Sequence, residues 1–264
     1  MKRKSLLLIA GILFLFGFAV ALYPTAKTAV FQQQESRAIL RFEQYRVTAT
    51  HAPPLEFSDP KAVPADTGTV KIEKPFCALY EACKTYNRSL TENGQMRLSE
   101  QTMKEPCINP AVYGWEEEVF ACLSIPSANI EAPVYLGTSS INLERGAALL
   151  GQTSMPIGGL DAHAVIGGHR TWNAIRHPFI GLEKVQIGDD VFLTNPWETL
   201  TYRVIATSTI YPDNLDAIRI WPGRDLLTVF TCTYPNSQRY IVTCERISEE
   251  TEKHWNTFLL PWVA

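Results

Sequence analysis

The sequence lacks the spacings that announce a metal site. No Cys-x-x-Cys and no His-Glu-x-x-His occurs, and beyond Cys77 and Cys83 the cysteines are far apart. Tetrahedral metal binding needs such clustered ligands, so neither metal nor cofactor is expected. A surplus of positive charge is also missing. Lys and Arg number 24 against 27 Asp and Glu, a formal net charge of −3, and Lys2, Arg3 and Lys4 sit in the first four positions. The remaining body is more acidic still, with no counterion-release footprint, which excludes nucleic acid as a first-choice partner. No internal repeat occurs, and 15 Gly and 17 Pro in 264 residues exclude collagen-like or low-complexity chains. A 46% apolar and 19% charged composition fits a globular protein with a sizeable core.

What is present begins with the N-terminus. After Met1-Lys2-Arg3-Lys4-Ser5, every residue from Leu6 to Leu22 is apolar or Gly, and the next charge is Lys27. Such a run spans roughly 26 Å as a helix, just enough for a bilayer core. Its basic flank stays cytoplasmic and sends the rest outward. The run reads as an uncleaved single-pass anchor. The alternative is a signal peptide cut near Ala19-Val20-Ala21. Both readings export the body, and an exported chain with six cysteines invites disulfides.

Residues 1–22 are thus an anchor or signal segment and 23–68 a helical stalk and linker. In the stalk, residues 28–48, Phe31, Ile39, Leu40 and Phe42 fall roughly on one side; residues 51–68 are Pro-rich and read as the linker. Residues 69–116 hold a second helix and an irregular, lid-like segment. The helix is expected over Phe76–Thr91, closed by Asn93-Gly94. Cys77 and Cys83 on it are separated by about 9 Å of rise, too far to bridge each other.

From residue 117 to 250 short β-branched runs recur between turn signals: Phe120–Ile125, Ala132–Tyr135, Ala162–Ile166, Asp190–Thr194, Leu200–Ile210, Leu226–Thr233 and Arg239–Ile247. That texture predicts one mostly-β barrel or sandwich. Residues 251–264 form a tail. Eleven residues after Lys253 are too few for a second span.

The chemistry concentrates on one hairpin. Strands ending at Cys232 and starting at Arg239 flank a short turn containing Tyr234-Pro235-Asn236-Ser237. Symmetric closure sets Cys232 opposite Arg239. A guanidinium beside a thiol favours the nucleophilic thiolate and steadies an oxyanion formed there. The competing reading of Cys232 is a structural disulfide. Its nearest partner in sequence, Cys244, falls opposite Leu227, about 16 Å along the strand, so it cannot reach. For Arg239 the competing reading is a solvated strand-end charge.

A thiol nucleophile needs an acid–base partner. His169 follows the apolar strand Ala164-Val165-Ile166 and the pair Gly167-Gly168, which would let the chain turn and bring its ring to the rim. His163, on the same strand, packs or satisfies a backbone group. His177 precedes Pro178 and starts a turn, while His51 lies in the linker and His254 in the tail.

These residues resemble the signature of sortases, the cell-wall transpeptidases of Gram-positive bacteria. Thr231-Cys232-Thr233 after Leu-Leu-Thr-Val-Phe carries the resemblance, together with Arg239 at the start of the next strand. Leu136-Gly137-Thr138, Gly146-Ala147, the run Gly151 to Gly159, and Val165-Ile166-Gly167-Gly168-His169-Arg170 are similar to the pilin-polymerising class C branch. Tyr23-Pro24 and Tyr86-Asn87 fit it too, over roughly residues 20–247. The resemblance implies an eight-stranded sortase-type β-barrel with N-terminal helices and a membrane anchor. It implies that Cys232 attacks the Thr carbonyl of a Leu-Pro-x-Thr-Gly-like sorting signal. His169 would serve as acid and base, and Arg239 would hold the substrate backbone or the oxyanion. Thr231, Ile218 and Ile220 would bind substrate, the last two on a groove wall running from Tyr211 to Gly223.

The implied partners are sorting signals of pilins or surface proteins, an acceptor amine from a pilin lysine or a peptidoglycan precursor, and the membrane. The catalytic domain would be extracellular. Where the family carries an Asp-Pro-aromatic lid triplet, this chain has Glu105-Pro106-Cys107. Glu105 would pair with Arg239. Cys107 would bridge to Cys83 or Cys77, cap Cys232, or stay a free thiol. The alternatives are peptidoglycan anchoring, thiol hydrolysis with water as acceptor, and a disulfide-stapled surface module without catalysis.

Overall fold

Charge-free from Leu6 to Leu22 and rich in straight-chain residues beyond, the N-terminus forms a single helix, α1 (Lys2–His51). The structure, a computed structural model, describes residues 2–51, 75–172, 175–233 and 237–247. The candidate anchor and the stalk expected from the sequence are therefore one continuous helix, with Pro24 accommodated inside it and His51 as its last residue. The Thr28 hydroxyl donates to the Pro24 carbonyl at 2.9 Å. The apolar side chains of Leu7, Leu8, Phe14 and Phe16 point outward, and this is the one helix among the described residues long and apolar enough to cross a membrane. Most of the Pro-rich linker and the tail 251–264 lie outside the described residues.

The distal half of α1 docks on the barrel through Phe31, Glu35, Ala38 and Phe42, all buried and spaced by three or four residues. Leu40 does not join them. It is 60% exposed, because two residues from Phe42 is about 200° around the helix. Trp115 receives Phe42, Tyr45 and Phe76 edge-on, with ring centroids 5.8, 5.0 and 5.4 Å away. Its indole Nε1 donates to the Val119 carbonyl at 3.2 Å.

Helix α2 (Cys77–Glu92) starts one residue later than its sequence suggests, because Phe76 adopts a left-handed conformation. It buries Leu79, Cys83 and Leu90 on one face. Eight of the ten strands then close a barrel: β1 (Val119–Ile125), β2 (Ile130–Leu136), β3 (Ala147–Leu149), β4 (Ala162–Gly168), then β7 (Asp190–Thr194), β8 (Thr199–Ile210), β9 (Asp225–Cys232) and β10 (Arg239–Arg246). The spatial order is β1-β2-β3-β4-β9-β10-β8-β7. Between β4 and β7, β5 (Thr171–Trp172) and β6 (Ile175–Arg176) form a separate ribbon. The seven apolar runs in the sequence correspond to seven barrel strands. The eighth, β3, has only three residues, too few to show alternation, and follows α3 (Ser140–Arg145) directly.

Most neighbours are antiparallel, but β2 pairs β3, and β4 pairs β9, in parallel. Ala164, Ile166, Leu227 and Val229 face the barrel core. The opposite faces of β4 and β9 present Val165 and Phe230 to a second apolar cluster outside, with Leu98, Leu150 and Ile218. That outer face of β4, β9 and β10 carries the site.

Candidate active site

The β9–β10 register pairs Cys232 with Arg239, Phe230 with Ile241, and Cys244 with Leu227. Side chains alternate along a strand, so Phe230 and Cys232 share one face, and Ile241 and Arg239 lie beside them. The turn residues 234–236 lie outside the described residues. On the other side, β4 runs parallel to β9 with Gly167 level with Phe230. Two residues further, His169 emerges at the level of Cys232.

These side chains line one groove of about 720 Å³, whose walls include Ile218, Leu150 and Met103. Its apolar walls are interrupted by Glu100, Lys104, Asp213 and Asn214, and His169, Cys232 and Arg239 line it together.

Gly167 and Gly168 lie within β4 and make no turn. They are glycine because the neighbours come close. A Cβ on Gly167 would lie 2.6 Å from the Phe230 ring, and one on Gly168 2.6 Å from the Phe179 ring. The Gly168 carbonyl also accepts from the Thr231 hydroxyl at 2.8 Å. The strand end that delivers His169 is therefore gripped from both sides.

His169 is half-buried. Burial lowers its ring below the usual histidine range, and the Glu144 carboxylate pulls the other way. His163 is buried with both ring nitrogens engaged, Nδ1 at 2.6 Å from the Arg219 carbonyl and Nε2 at 2.8 Å from the Thr228 hydroxyl. Burial takes it down to about 4. It is a packing histidine. His177 does open the turn at Pro178, but it is also buried, with its ring centroid 5.7 Å from that of His169.

The other expected site residues divide. Ile218 lines the groove. Ile220 does not, and its backbone N–H donates to the Gln95 side chain at 2.7 Å. Thr231 points to the barrel interior, as alternation from Cys232 requires.

Glu105, Pro106 and Cys107 also lie off the groove. Leu98, Ser99, Glu100, Met103 and Lys104, just before them, line it instead. The Met103 carbonyl explains the placement, accepting from Thr138 N, Thr138 Oγ1 and Gly151 N at 3.3, 2.8 and 3.0 Å. Gly137 approaches the same segment so closely that a Cβ would sit 2.8 Å from the Lys104 carbonyl oxygen. Residues 104–106 are thus pinned to the barrel wall, and among the described residues no ion pair joins Glu105 to Arg239. The apolar Leu98 and Met103, isolated in a polar stretch, were the sequence signal for this contact.

All six cysteines are free thiols, so Cys107 bridges neither Cys83, Cys77 nor Cys232. Its thiol donates to the Leu150 and Thr153 carbonyls at 3.6 Å each, and burial pushes it up to about 11. Tyr86 and Asn87 of α2 hold the loop that follows β3. Gln152 N donates to the Tyr86 hydroxyl at 3.1 Å; Asn87 donates to the Met155 carbonyl at 3.2 Å and accepts from Met155 N at 2.7 Å. Among the described residues, no group of His, Cys, Asp and Glu is arranged to hold a metal ion.

A family model described as a sortase domain matches residues 123–247, which hold His169, Cys232 and Arg239. Sortase A of Streptococcus agalactiae serotype III (strain NEM316) is 28% identical over 130 residues, covering 48% of this chain and 52% of that protein. Sortase D of Bacillus subtilis (strain 168) is 28% identical over 132 residues, covering 48% and 63%. The chain thus spans between half and two thirds of the length of these curated relatives. Solved structures match more fully. Sortase C-1 from Actinomyces oris is 31% identical with a TM-score of 0.55, covering 66% of this chain and 99% of that one. Streptococcus agalactiae sortase C1 is 30% identical with a TM-score of 0.60, covering 66% and 90%. With a matching domain, a shared eight-stranded barrel and relatives covered almost end to end, this chain belongs to the sortase family.

Proposed function

We propose that the protein is a membrane-anchored cysteine transpeptidase of the class C type, acting on Leu-Pro-x-Thr-Gly-like sorting signals. The observation that carries this reading is that Cys232, His169 and Arg239, delivered by three adjacent strands, line one groove with apolar walls. Those walls, Ile218, Leu150 and Phe230 among them, suit the Leu and Pro of the signal.

The Cys232 thiolate attacks the Thr carbonyl carbon, and the electron pair moves to the oxygen. The Arg239 guanidinium faces that developing charge. Collapse breaks the Thr–Gly bond as His169 gives its proton to the leaving Gly nitrogen, and a thioester remains on Cys232. Burial makes His169 a stronger acid than a free imidazole, which suits this donation. A lysine ε-amine then attacks the thioester, neutral His169 takes its proton, and the Cys232 thiolate leaves. The new isopeptide bond joins two proteins.

Sortase C of Group B Streptococcus, 27% identical to this chain, is pilus-related, which favours a pilin lysine as acceptor. A peptidoglycan-precursor amine is the second reading. Lys2, Arg3 and Lys4 before the apolar run favour an N-terminus inside and a barrel outside.

The test is incubation of the full chain with a fluorogenic Leu-Pro-x-Thr-Gly peptide, followed by mass spectrometry. An acyl adduct on Cys232, absent from a folded Cys232→Ala variant, is the expected result. An adduct that survives in Cys232→Ala overturns the reading. Adding a lysine-bearing pilin peptide or a peptidoglycan-precursor amine then separates the two acceptors by product mass.

A further inference from the structure

The membrane-proximal helix reaches the second layer of the active site. Phe31 of α1 is buried, and its ring lies against that of His177, 4.3 Å between centroids and tilted by 56°. The His177 ring in turn meets His169 edge-on, at 5.7 Å and 76°. Three rings, Phe31, His177 and His169, thus form a continuous stack from the anchor helix to the groove. Such edge-to-face contacts fix orientation as well as distance.

A histidine is an expensive choice for the middle of that stack. His177 is 2% exposed, and its Nε2 has no hydrogen-bond partner among the described residues. Burial without a partner penalises a polar nitrogen, and a leucine of similar bulk would avoid that penalty. Burial, reinforced by His169, lowers His177 to about 4, so it stays neutral beside its neighbour. The backbone supports the same placement. His177 N donates to the Arg170 carbonyl at 3.2 Å, closing the loop that follows His169. Two residues on, Phe179 blocks the space beside Gly168.

We propose that His177 is a positioning residue for His169, and that Phe31 of the anchor helix holds it in place. The stalk then serves as a structural part of the acid–base apparatus as well as a tether. This rests on the transpeptidase reading, in which His169 moves the protons. A small displacement of a catalytic group costs rate far more than binding, so the effect belongs in kcat.

The test uses the full chain in detergent micelles with ring-labelled histidine. Five histidines give few enough signals to assign by substitution. His177→Leu is expected to shift the His169 ring resonances and to lower kcat by about tenfold to 10²-fold, with KM within about twofold. Phe31→Ala should do both to a lesser degree, and Phe31→Tyr should restore both. If His177→Leu does not fold, Phe31→Ala carries the test, since Phe31 lies outside the barrel strands. Unchanged His169 resonances, or unchanged kcat, in a folded variant overturns the proposal. The resonances need no turnover. A missing acyl adduct on Cys232 therefore counts against the transpeptidase reading, and unmoved resonances count against this one.

Discussion

Cys232 and Arg239 are partners on the last rung of the β9–β10 ladder. Their relative position is set by backbone hydrogen bonding rather than by a loop. Arg239 also donates from Nη1 to the Gln238 carbonyl at 3.2 Å, which aims the guanidinium along the strand end. Arg239→Lys keeps the charge and loses the planar fork of donors. Acylation of Cys232 by a sorting-signal peptide, followed in single turnover, is expected to slow by about 10- to 10³-fold in that variant. A near-normal rate would reduce Arg239 to a strand-end charge.

Gly168→Ala places a methyl group against the Phe179 ring. Overpacking of this kind costs about 1–3 kcal/mol, and here the strain falls on the residue before His169. The variant should melt earlier and turn over more slowly. Phe179→Leu in the same chain should recover part of both losses; no recovery would mean that the strain is relieved elsewhere.

Asn87→Ala removes both hydrogen bonds to Met155 and leaves the Met155 N–H unpaired, while the Met155 carbonyl keeps the Ile157 N–H at 2.8 Å. The expected loss, read from urea unfolding, is about 1–3 kcal/mol. Tyr86→Phe, which deletes the acceptor for Gln152 N and the hydroxyl's contact with the Cys107 thiol, should cost less. Negligible losses in both variants would show that α2 is held by apolar packing alone.

Two buried histidines contribute stability that is lost on acidification below about pH 6.5. His163 and His177 both titrate near 4 in the fold, against 6.5 when unfolded. Between those values the unfolded chain binds protons that the folded one refuses, so each histidine's contribution is lost as pH falls. Asp225 opposes them. Burial raises it from 3.8 to about 6, so its contribution is present at low pH and lost as pH rises toward 6. Glu35, raised by burial from 4.5 to about 8, opposes them as well, so two protons stand against two and the unmodified chain should be nearly flat between pH 4.5 and 6.5. Asp225→Asn preserves the polar contacts to Tyr202 and Gly159 while removing one opposing group. Urea titrations at pH 4.5, 5.5 and 6.5 should show a steeper acid limb in that variant. A shallower limb would contradict the assignment.

Much of the barrel was legible because β7 and its kin alternate buried and half-exposed residues, the signal that local periodicity carries. The hairpin register follows from loop symmetry, which sets Cys232 opposite Arg239. Contacts between distant elements left weaker traces. Nothing near Pro178 announces that Phe31, at the far end of the chain, covers His177. The Gly167-Gly168 pair suggested a turn, because sequence cannot show the rings of Phe230 and Phe179 pressing on it. Glu105-Pro106-Cys107 was placed at the groove by analogy with a family triplet. The Met103 carbonyl, a backbone group with no residue signature, decides otherwise.

The parallel pairing of β4 with β9 has a consequence for the newly made chain. His169 and Cys232 sit on strands separated by a ribbon, a long antiparallel pair and the Tyr211–Gly223 loop. Bringing such distant segments into register requires closing a long loop, which is slow and comes late in folding. Until then the thiol has no imidazole beside it and no groove above it. A nascent or partly folded molecule consequently carries the thiol without its imidazole or its groove, and the assembled site arrives only with a closed barrel.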